Sequence, residues 1–397
     1  MYSEGKKRLY IFTISYPYDF SQERNFIDPE MEGWIKNYQQ VILVPAFKKG
    51  ILDSQLSSEV QVDLTLSELY QNENRLKSLL KFSFWRVLLL VFFQIVKSQF
   101  RWKFNLYLNA IFFVVRMIQA KSYLSSLRGS VKSDVYSFWN TYVTAAIADF
   151  SDWSGSRWTR VHGDDFYPER QGGIIPLERK TYQRLDKVVF VSKLAEAYWR
   201  NRHPHVSTVT EVSYIGVREP ENWQVVPTLP SRNPIKLFSC SGLNPIKRMD
   251  LCSELILEWN RRHWKSPIEW HHLGATTFEI DQFIGKTSGA IGHGWMSQTS
   301  VLNWILDNNP WFLISVSSSE GFPVSMQESL ISGVPILAAA NGGMVEAVEM
   351  SNGYLLPETP TYMDFEKAML HVLSLSNEEI LEARQIALNV GNAHFLR

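Results

Sequence analysis

Two glutamates, Glu320 and Glu328, lie eight residues apart in the stretch SSSEGFPVSMQESLISGVP. An apolar run, WFLISVS, precedes Glu320, and a tight corner from Gly321 to Pro323 separates it from a helix-like run that contains Glu328. Free backbone N–H groups at such a strand–corner–helix junction favour an anion such as a phosphate. A carboxylate about one turn into the helix suits vicinal hydroxyls, as on a ribose. The spacing alone also fits a simpler interpretation, in which Glu320 caps the loop and Glu328 is solvated.

A glycine pair opens the next helix-like segment. Gly342 and Gly343 follow the apolar run VPILAAA and precede MVEAVE. This order predicts a second group of backbone N–H donors for an anion, one β–α unit after the first. A glycine turn that only connects a strand to a helix would have the same composition. Two such junctions at successive strand ends nevertheless indicate a nucleotide site.

A basic pair follows another apolar run. In SCSGLNPIKRMD the strand-like part ends near Gly242, and the loop brings Lys247 and Arg248 to the start of a helix-like run. Basic side chains at the carboxyl end of a strand can neutralise a diphosphate. A solvated basic pair is the alternative, but cations are mildly unfavourable at a helix N-terminus. The pair therefore slightly favours a phosphate-binding function.

A histidine marks a strand end in the first half of the chain. His162 lies in RVHGDDFYPER and could hydrogen-bond a hydroxyl or stabilise a leaving phosphate, although single histidines at strand ends are more often structural. Asp164 and Asp165 are adjacent, and the chain contains neither an Asp-x-Asp triplet nor zinc-ligand spacing. We therefore expect no metal ion and no cofactor.

Composition limits the class of protein. The 397 residues are 45% hydrophobic and 20% charged, which is typical of globular proteins. Forty basic residues balance forty acidic ones, so the basic excess of a nucleic-acid binder is missing. The two cysteines, Cys240 and Cys252, fit neither a disulfide framework nor a zinc site, which favours the cytoplasm. We interpret the N-terminal stretch MYSEGKKRLYIFTISYPY as a first strand and not as a signal peptide.

The candidate residues lie in two consecutive α/β series. Strand-like runs RLYIFTI, QVILVPA, DVYSFW, RWTRVHG, KVVFVS and EVSYIG form the first, and IKLFSCSGL, IEWHHLG, SGAIGHG, WFLISVS and VPILAAA form the second. The pattern predicts two doubly wound Rossmann-like domains with parallel sheets, residues 1–218 and 235–397, joined by a proline-rich linker, 219–234. We expect a ligand in the central cleft, beyond the carboxyl ends of the strands, and a last helix that crosses back to the N-terminal domain.

Residues 82–120 form the most apolar region. Their uninterrupted apolar runs are far shorter than the ~20 residues that span a bilayer. Basic residues recur among the aromatic ones, and no acidic residue occurs there. Two interpretations stay open: a pair of helices on an anionic membrane surface, with Arg101, Lys103 and Arg116 facing lipid, or two buried helices of an α/β domain.

Together these stretches resemble the family 4 glycosyltransferases, which are retaining enzymes of the GT-B fold. The N-terminal stretch SYPYDFSQERNFIDPEMEGW (15–34) looks like the acceptor-side opening of members that assemble polysaccharides and lipopolysaccharides. The resemblance covers nearly the whole chain and is strongest across 312–357 and weakest across 51–130. The other stretches that carry it are EGFPVSMQE (320–328), SGVPILAAANGGMVEAVEMSNGYLLP (332–357), LNPIKRMDL (243–251), RVHGDDFYPER (160–170) and KVVFVS (187–192).

The resemblance implies a role for each candidate residue. Glu320 would contact the ring hydroxyls of the donor sugar, Glu328 would hold the ribose, and Lys247 would meet the diphosphate and assist its departure. His162 would contact the donor sugar from the opposite domain. The remaining implied donor contacts are the corner Gly321, Phe322, Pro323 and Val324, the phosphate or ribose pocket residues Gly342 and Gly343, and the base-bordering loop with Gly294 and Met296.

The chain departs from the family at one position. Family members often carry an arginine five residues before the phosphate lysine, where this chain has Gly242. Arg248 could supply the missing charge; otherwise donor affinity or turnover would suffer. This departure motivates an alternative, a non-catalytic nucleotide-sugar-binding subunit of a glycan-assembly complex. A GT-B sugar-nucleotide epimerase is a further alternative.

The resemblance implies a metal-independent, retaining hexosyltransferase. It would move a hexose-type sugar from a UDP- or GDP-sugar to a growing surface glycan, such as lipopolysaccharide or capsule. The acceptor would be lipid-linked, so we expect a cytoplasmic protein at the inner face of the cytoplasmic membrane. The expected partners are the donor, the glycan acceptor and an anionic membrane surface, with no nucleic acid.

Overall fold

The computed structural model describes residues 7–19, 23–53, 56–71, 75–127, 133–150, 153–351 and 353–397. Contacts between residues divide the chain into two compact units. The first comprises the residues up to Val191 and Glu196–Ser213, and the second comprises Ser192–Ala195 and Tyr214–Arg397. Each unit is built on one twisted β-sheet with helices and is described by itself.

The sheet of the first unit is parallel throughout the described residues, with strand order 3-2-1-4-5-6-7. An interior strand, the first in the chain, carries RLYIFT and is buried along nearly its whole length, which explains a continuous apolar run without polar alternation. Leu9, Ile11, Leu43 and Tyr136 form part of the core beneath it. The strands are β1 (Arg8–Thr13), β2 (Gln40–Pro45), β3 (Val60–Val62), β4 (Ser133–Ser137), β5 (Arg157–Val161), β6 (Lys187–Phe190) and β7 (Val209–Val212).

Helices connect these strands, as parallel crossovers require. Between β3 and β4, in place of a single crossover helix, the chain forms an additional helical hairpin of α4 and α5, so the two helices predicted within residues 82–120 are confirmed. The helices are α1 (Arg24–Asn37), α2 (Thr65–Gln71), α3 (Arg75–Leu79), α4 (Phe82–Lys97), α5 (Phe104–Ser126), α6 (Tyr142–Ala148), α7 (Gly163–Phe166), α8 (Glu178–Tyr182) and α9 (Lys193–Arg202).

The membrane-surface interpretation placed Arg116 against lipid, and the structure contradicts this placement. Its side chain is buried in the second half of α5. The guanidinium group lies 4.3 Å from the ring centre of Tyr70 and donates a 3.0 Å hydrogen bond to the carbonyl oxygen of the same residue. A cation–π contact and a carbonyl partner compensate the buried charge, so Arg116 ties α5 to α2.

The sheet of the second unit has strand order 10-11-9-8-12-13-14 within the described residues. All neighbours are parallel except β10 and β11, which form an antiparallel edge that the sequence pattern did not predict. The fully buried Trp259 and Trp270 lie in its core. The strands are β8 (Ile235–Cys240), β9 (Ile268–Leu273), β10 (Ala275–Thr276), β11 (Ala290–Gly294), β12 (Phe312–Ser315), β13 (Ile336–Ala339) and β14 (Tyr354–Leu356).

Local capping signals define several helices of this unit. Thr276, Thr361 and Ser376 each accept a hydrogen bond from the backbone three residues later, where an acidic side chain returns the bond. The last helix packs against the helix that contains Glu328. The helices are α10 (Met249–Arg262), α11 (Thr277–Ile284), α12 (Gln298–Asn308), α13 (Val324–Ile331), α14 (Gly343–Ser351), α15 (Tyr362–Ser374) and α16 (Asn377–His394).

Residues 219–234, the predicted linker, contain neither helix nor strand. Part of the segment is fixed to the second unit. Arg232 donates hydrogen bonds of 2.9 Å to the carbonyl oxygens of Leu373 and Leu375, and the indole N–H of Trp311 donates to the carbonyl oxygen of Ser231. Among the residues described, no helix has the length and apolar character that crossing a membrane requires.

Candidate active site

Three neighbouring strands of the second sheet bring the candidate residues to one edge. The order β8-β12-β13 is parallel, so the loops that follow Cys240, Ser315 and Ala339 leave the sheet on the same side. A pocket opens at this edge, and the residues that line it include Ser241, Lys247, Met249, Ser317, Glu320 and Ser325.

Lys247 and Glu320 meet in this pocket. Lys247 ends a short 3-10 turn, Pro245–Lys247, whose start is fixed because the side chain of Asn244 accepts a 3.0 Å hydrogen bond from the N–H of Ile246. Its Nζ lies 2.5 Å from Oε1 of Glu320, and both side chains are largely shielded from solvent. The structure thus brings together two of the three residues predicted to be catalytic, one cation and one carboxylate.

Arg248 is part of the framework around this pair. Its guanidinium group donates to the carbonyl oxygens of Val316, Ser317 and Glu358, and to the hydroxyl of Thr359. Partial burial lowers the pKa of Arg248 from its ordinary value. These contacts hold the loop after β12, a function that the sequence did not predict. A contact between Arg248 and a diphosphate stays a prediction, and the geometry offers Lys247 as the available cation.

The glycine pair lets two loops approach each other. A Cβ atom on Gly342 would lie 2.1 Å from the carbonyl oxygen of Glu320, and one on Gly343 would lie 1.7 Å from that of Gly321. A residue with a Cβ atom would not fit at such distances, and Gly342 also has a positive φ of 56°. The N–H of Gly343, predicted to face an anion, donates instead to the carbonyl oxygen of Glu320 at 3.1 Å. The pair therefore positions the Glu320 corner.

Glu328 is buried in the second turn of α13. The amide of Gln298, at the start of α12, donates to its Oε1 at 3.3 Å. Burial raises the pKa of Glu328 from 4.5 to about 7. Burial, and secondarily the charge of Glu328, also raise the pKa of the Cys240 thiol at the end of β8. Glu328 is therefore not the solvated helix residue of the simpler interpretation.

The loop predicted to border a base precedes α12. Gly294 ends β11 with a positive φ of 73°, and Met296 is half-buried just before the N-cap, Ser297. The indole of Trp295 between them is exposed. The loop therefore leads directly into the helix whose Gln298 contacts Glu328.

His162 belongs to the first unit, where it precedes α7. Its Nε2 lies 3.0 Å from the carbonyl oxygen of Phe138, so this nitrogen carries a proton and donates it. Burial, and then the charge of Arg160, lower the pKa of His162 to about 3. The imidazole is thus neutral near pH 7 and cannot supply positive charge to a leaving phosphate. Its contact with the donor sugar stays a prediction.

Two supporting residues were missed from the sequence. Asn341 donates from its amide to the carbonyl oxygens of Ser317 and Glu358, which are also partners of Arg248. Glu346 is buried on α14 and accepts a hydrogen bond from the hydroxyl of Tyr214. The sequence did contain a signal that Glu346 is buried, because this residue lies on the apolar face of its helix, next to the buried Ala347.

A match to a known protein family covers this part of the chain. Residues 299–387 match the family model described as glycosyl transferases group 1. The matched segment extends from α12 into α16 and contains Glu320, Glu328 and the glycine pair. No curated protein matches the chain in sequence.

Solved structures show the fold. The chain is similar to sucrose-phosphate synthase from Thermosynechococcus elongatus, at 11% identity over 98% of this chain and 95% of that chain, with a TM-score of 0.66. It is similar to the E. coli trehalose-6-phosphate protein bound with UDP-2-fluoro glucose, at 13% identity over 98% and 96%, with a TM-score of 0.63. It also matches a chain of the GtfA/B complex at 15% identity and a TM-score of 0.54, over 70% of its own length.

The chain spans only 57% of the matched chain in that complex, which is less than two thirds. All these identities are low, so the similarities establish architecture alone. That architecture is the GT-B fold, and the fold class predicted from the sequence is confirmed.

Replacing Glu328 with glutamine tests its buried state. The folded state binds the Glu328 proton more tightly than the unfolded state, so wild-type stability falls as pH rises from 4.5 through about 7. Glutamine does not titrate. We expect the unfolding free energy of Glu328→Gln, relative to wild type, to rise by roughly 3 kcal/mol between pH 4.5 and 8, measured by urea denaturation.

Glu279→Gln is the matched control with the opposite sign. Hydrogen bonds from the backbone and hydroxyl of Thr276 lower the pKa of Glu279, so the stability that the wild-type carboxylate contributes is complete above its unfolded-state pKa and is lost as pH falls below it. Relative to wild type, this variant should therefore change little above that pKa and should gain stability as pH falls below it. A flat pH profile for Glu328→Gln would contradict the burial of its carboxyl group.

Proposed function

We propose that this chain is a glycosyltransferase that moves a hexose-type sugar from a nucleoside-diphosphate donor to a glycan acceptor. The observation that carries the proposal is the Lys247–Glu320 pair at the carboxyl edge of the second sheet. The match of residues 299–387 to group 1 glycosyl transferases supports it. So does the likeness in fold to a protein bound with UDP-2-fluoro glucose.

The donor would occupy the edge in three parts. The ammonium group of Lys247 would turn from Glu320 to the diphosphate, because both are anionic partners for the same cation. Glu328 would accept hydrogen bonds from the ribose hydroxyls, and Glu320, released from the lysine, would accept them from the sugar ring. Gly294 and Met296 would border the base.

The corner from Gly321 through Phe322 and Pro323 to Val324 would surround the sugar. The glycine pair packs closely against the start of this corner, and Arg248 and Asn341 fix the preceding loop through the carbonyl oxygen of Ser317. A corner that is held in place before the donor arrives stabilises charge without rearrangement. Glu320 would therefore meet the sugar in a set orientation.

The chemistry follows from charge. The bond between the anomeric carbon and the phosphate oxygen breaks, and positive charge develops on the sugar ring while negative charge develops on the diphosphate. Lys247 stabilises the negative charge. The acceptor hydroxyl attacks from the face that the leaving group vacates, so the configuration is retained. Its proton passes to the departing phosphate oxygen, and the products are a glycoside and a nucleoside diphosphate.

The proposal uses no metal ion and no cofactor. The donor base would be uracil or guanine. The acceptor would be a growing surface glycan, such as a lipopolysaccharide or capsule chain, carried on a lipid at the cytoplasmic face of the membrane. Residues 15–34, with their resemblance to polysaccharide-assembly enzymes, support this acceptor class. His162 is the proposed contact of the first unit with the donor sugar.

A specific observation favours a second candidate, a subunit that binds a nucleotide sugar without turning it over. Gly242 stands where members of the family that the sequence resembles often carry a phosphate-binding arginine. A Cβ atom at Gly242 would meet no heavy atom within 4 Å. The position is thus open, and the diphosphate would have one cation fewer.

Lys247→Met and Glu320→Gln should separate nucleotide binding from transfer. We expect each to lower turnover of UDP- or GDP-sugars by about 10²- to 10³-fold, because each removes a contact with the reacting groups. Binding of free UDP or GDP, measured by calorimetry, should weaken in Lys247→Met and stay near wild type in Glu320→Gln, since a free nucleotide has no sugar ring.

Another lysine–glutamate pair in the same unit supplies the control. Lys286 and Glu254 lie 2.8 Å apart on the surface, and Lys286→Met with Glu254→Gln should leave both turnover and binding unchanged. Wild-type turnover in Lys247→Met, with no effect on nucleotide binding, would contradict the proposed function.

Gly242→Arg tests the missing cation. An added arginine can form charge-assisted hydrogen bonds with a diphosphate, so we expect UDP or GDP to bind roughly tenfold more tightly. Gly33→Arg is the matched control, since an added Cβ there also meets nothing within 4 Å. Unchanged nucleotide affinity in Gly242→Arg would place the diphosphate elsewhere. Transfer by Gly242→Arg but not by wild type would support the binding-subunit alternative.

A further inference from the structure

Apolar side chains are exposed along one face of α4. Phe82, Trp85, Leu89, Phe93 and Val96 follow one another at intervals of three or four residues, so they lie on the same side of the helix. All five are exposed, and Leu89 is 67% exposed. The helix packs against the rest of the unit through a different side, where the buried residues are Phe84, Val87, Leu88, Val91 and Ile95.

The exposed surface continues around the turn into α5. Trp102 in the turn is 84% exposed, and Phe104 at the start of α5 is 70% exposed. The two helices are held against each other, and the rings of Phe92 and Tyr107 meet edge to face at 5.2 Å. We call the exposed face of α4, the turn and the first residue of α5 the hairpin surface. Its apolar content is unusual for residues in contact with water.

Cations surround these apolar side chains. Arg86, Lys97, Arg101 and Lys103 are all exposed on the hairpin surface. Lys97 lies 4.2 Å from the ring centre of Phe93, and Arg101 lies 5.3 Å from that of Trp102. Cation and aromatic ring are therefore presented side by side.

The positive charge is concentrated in this part of the chain. Residues 74–133 contain eleven lysines and arginines and no aspartate or glutamate, although the whole chain is neutral. Such a segment lacks the acidic residues that ordinarily balance a solvated helical hairpin. It is complementary to a surface that is itself anionic.

We propose that the hairpin surface docks on an anionic lipid bilayer, with the aromatic side chains in the headgroup region and the cations on lipid phosphates. An anionic bilayer uses both features of the hairpin surface: the apolar side chains enter the interface, and the basic side chains bind the headgroups. The described helices are not of the kind that crosses a membrane, so the hairpin lies on the bilayer. The inference goes beyond the proposed reaction and does not depend on the donor.

Vesicle flotation tests the proposal. The full chain should float with vesicles of phosphatidylcholine containing about one third phosphatidylglycerol, and much less with phosphatidylcholine alone. Each cation near an anionic surface contributes about fivefold, so Lys97→Gln, Arg101→Gln and Lys103→Gln together should weaken binding roughly a hundredfold. Raising the salt from 0.1 to 0.5 M should weaken wild-type binding in the same direction, because salt screens exposed charges.

A second variant tests the apolar half. Trp102→Ser with Phe104→Ser should also reduce flotation, whereas Trp264→Ser with Lys265→Gln should not. Trp264 is 71% exposed with Lys265 beside its ring, so the control removes an aromatic–cation pair of the same kind from the second unit. All variants should keep wild-type binding of UDP or GDP, which separates this result from the proposed function.

Three outcomes would overturn the proposal. Equal binding to neutral and anionic vesicles would remove the role of the cations. Flotation that survives both hairpin variants would place the contact elsewhere. Concentration-dependent self-association that the hairpin variants abolish, without vesicle binding by wild type, would show that a second copy of the chain covers the surface.

Discussion

The ion pair between Lys247 and Glu320 is the interaction on which the candidate site depends. Two charges largely shielded from water are stable only when the surrounding groups hold them in good geometry. Here the surrounding groups are backbone segments, and each is fixed by another residue. Arg248 and Asn341 hold the loop after β12, and the hydrogen bond from the N–H of Gly343 to the carbonyl oxygen of Glu320 holds the corner itself. In the proposed function, such a framework would let the lysine exchange Glu320 for the diphosphate without rearrangement.

Burial gives the two glutamates different properties. Glu320 has a lysine partner, whereas Glu328 has the neutral amide of Gln298, and burial raises the pKa of Glu328 to about 7. An uncompensated buried carboxyl group lowers stability at neutral pH, and such groups occur most often where a ligand uses them. Hydroxyl groups that donate to the ionised carboxylate would replace the missing partners. The same reasoning limits His162, because a neutral buried imidazole can accept or donate a hydrogen bond but cannot act as a cation.

Most of the fold could be predicted from the sequence, because fully buried parallel strands are continuous apolar runs that a reader can see. The meeting of Lys247 and Glu320 was also predictable, since both follow parallel strands at one edge of a sheet.

Other contacts could not be predicted. The contacts of Arg248 with Glu358 join residues more than a hundred positions apart in the sequence. The close approach between the glycine pair and the corner after Glu320 depends on the path of the backbone, which no local sequence pattern encodes. For the same reason the burial of Arg116 was missed: a basic residue among aromatics has the same sequence signature on a surface and in a core. The run EVSYIG was predicted as a strand to its end, but β7 ends at Val212, and Tyr214 turns to Glu346.

The most direct test of the central claim is a crystal structure of the protein with UDP or GDP bound. The account predicts a diphosphate oxygen within hydrogen-bond distance of Nζ of Lys247, with the lysine displaced from Glu320. It also predicts ribose hydroxyls on the carboxylate of Glu328. A nucleotide bound at another place, with the Lys247–Glu320 pair intact, would contradict it.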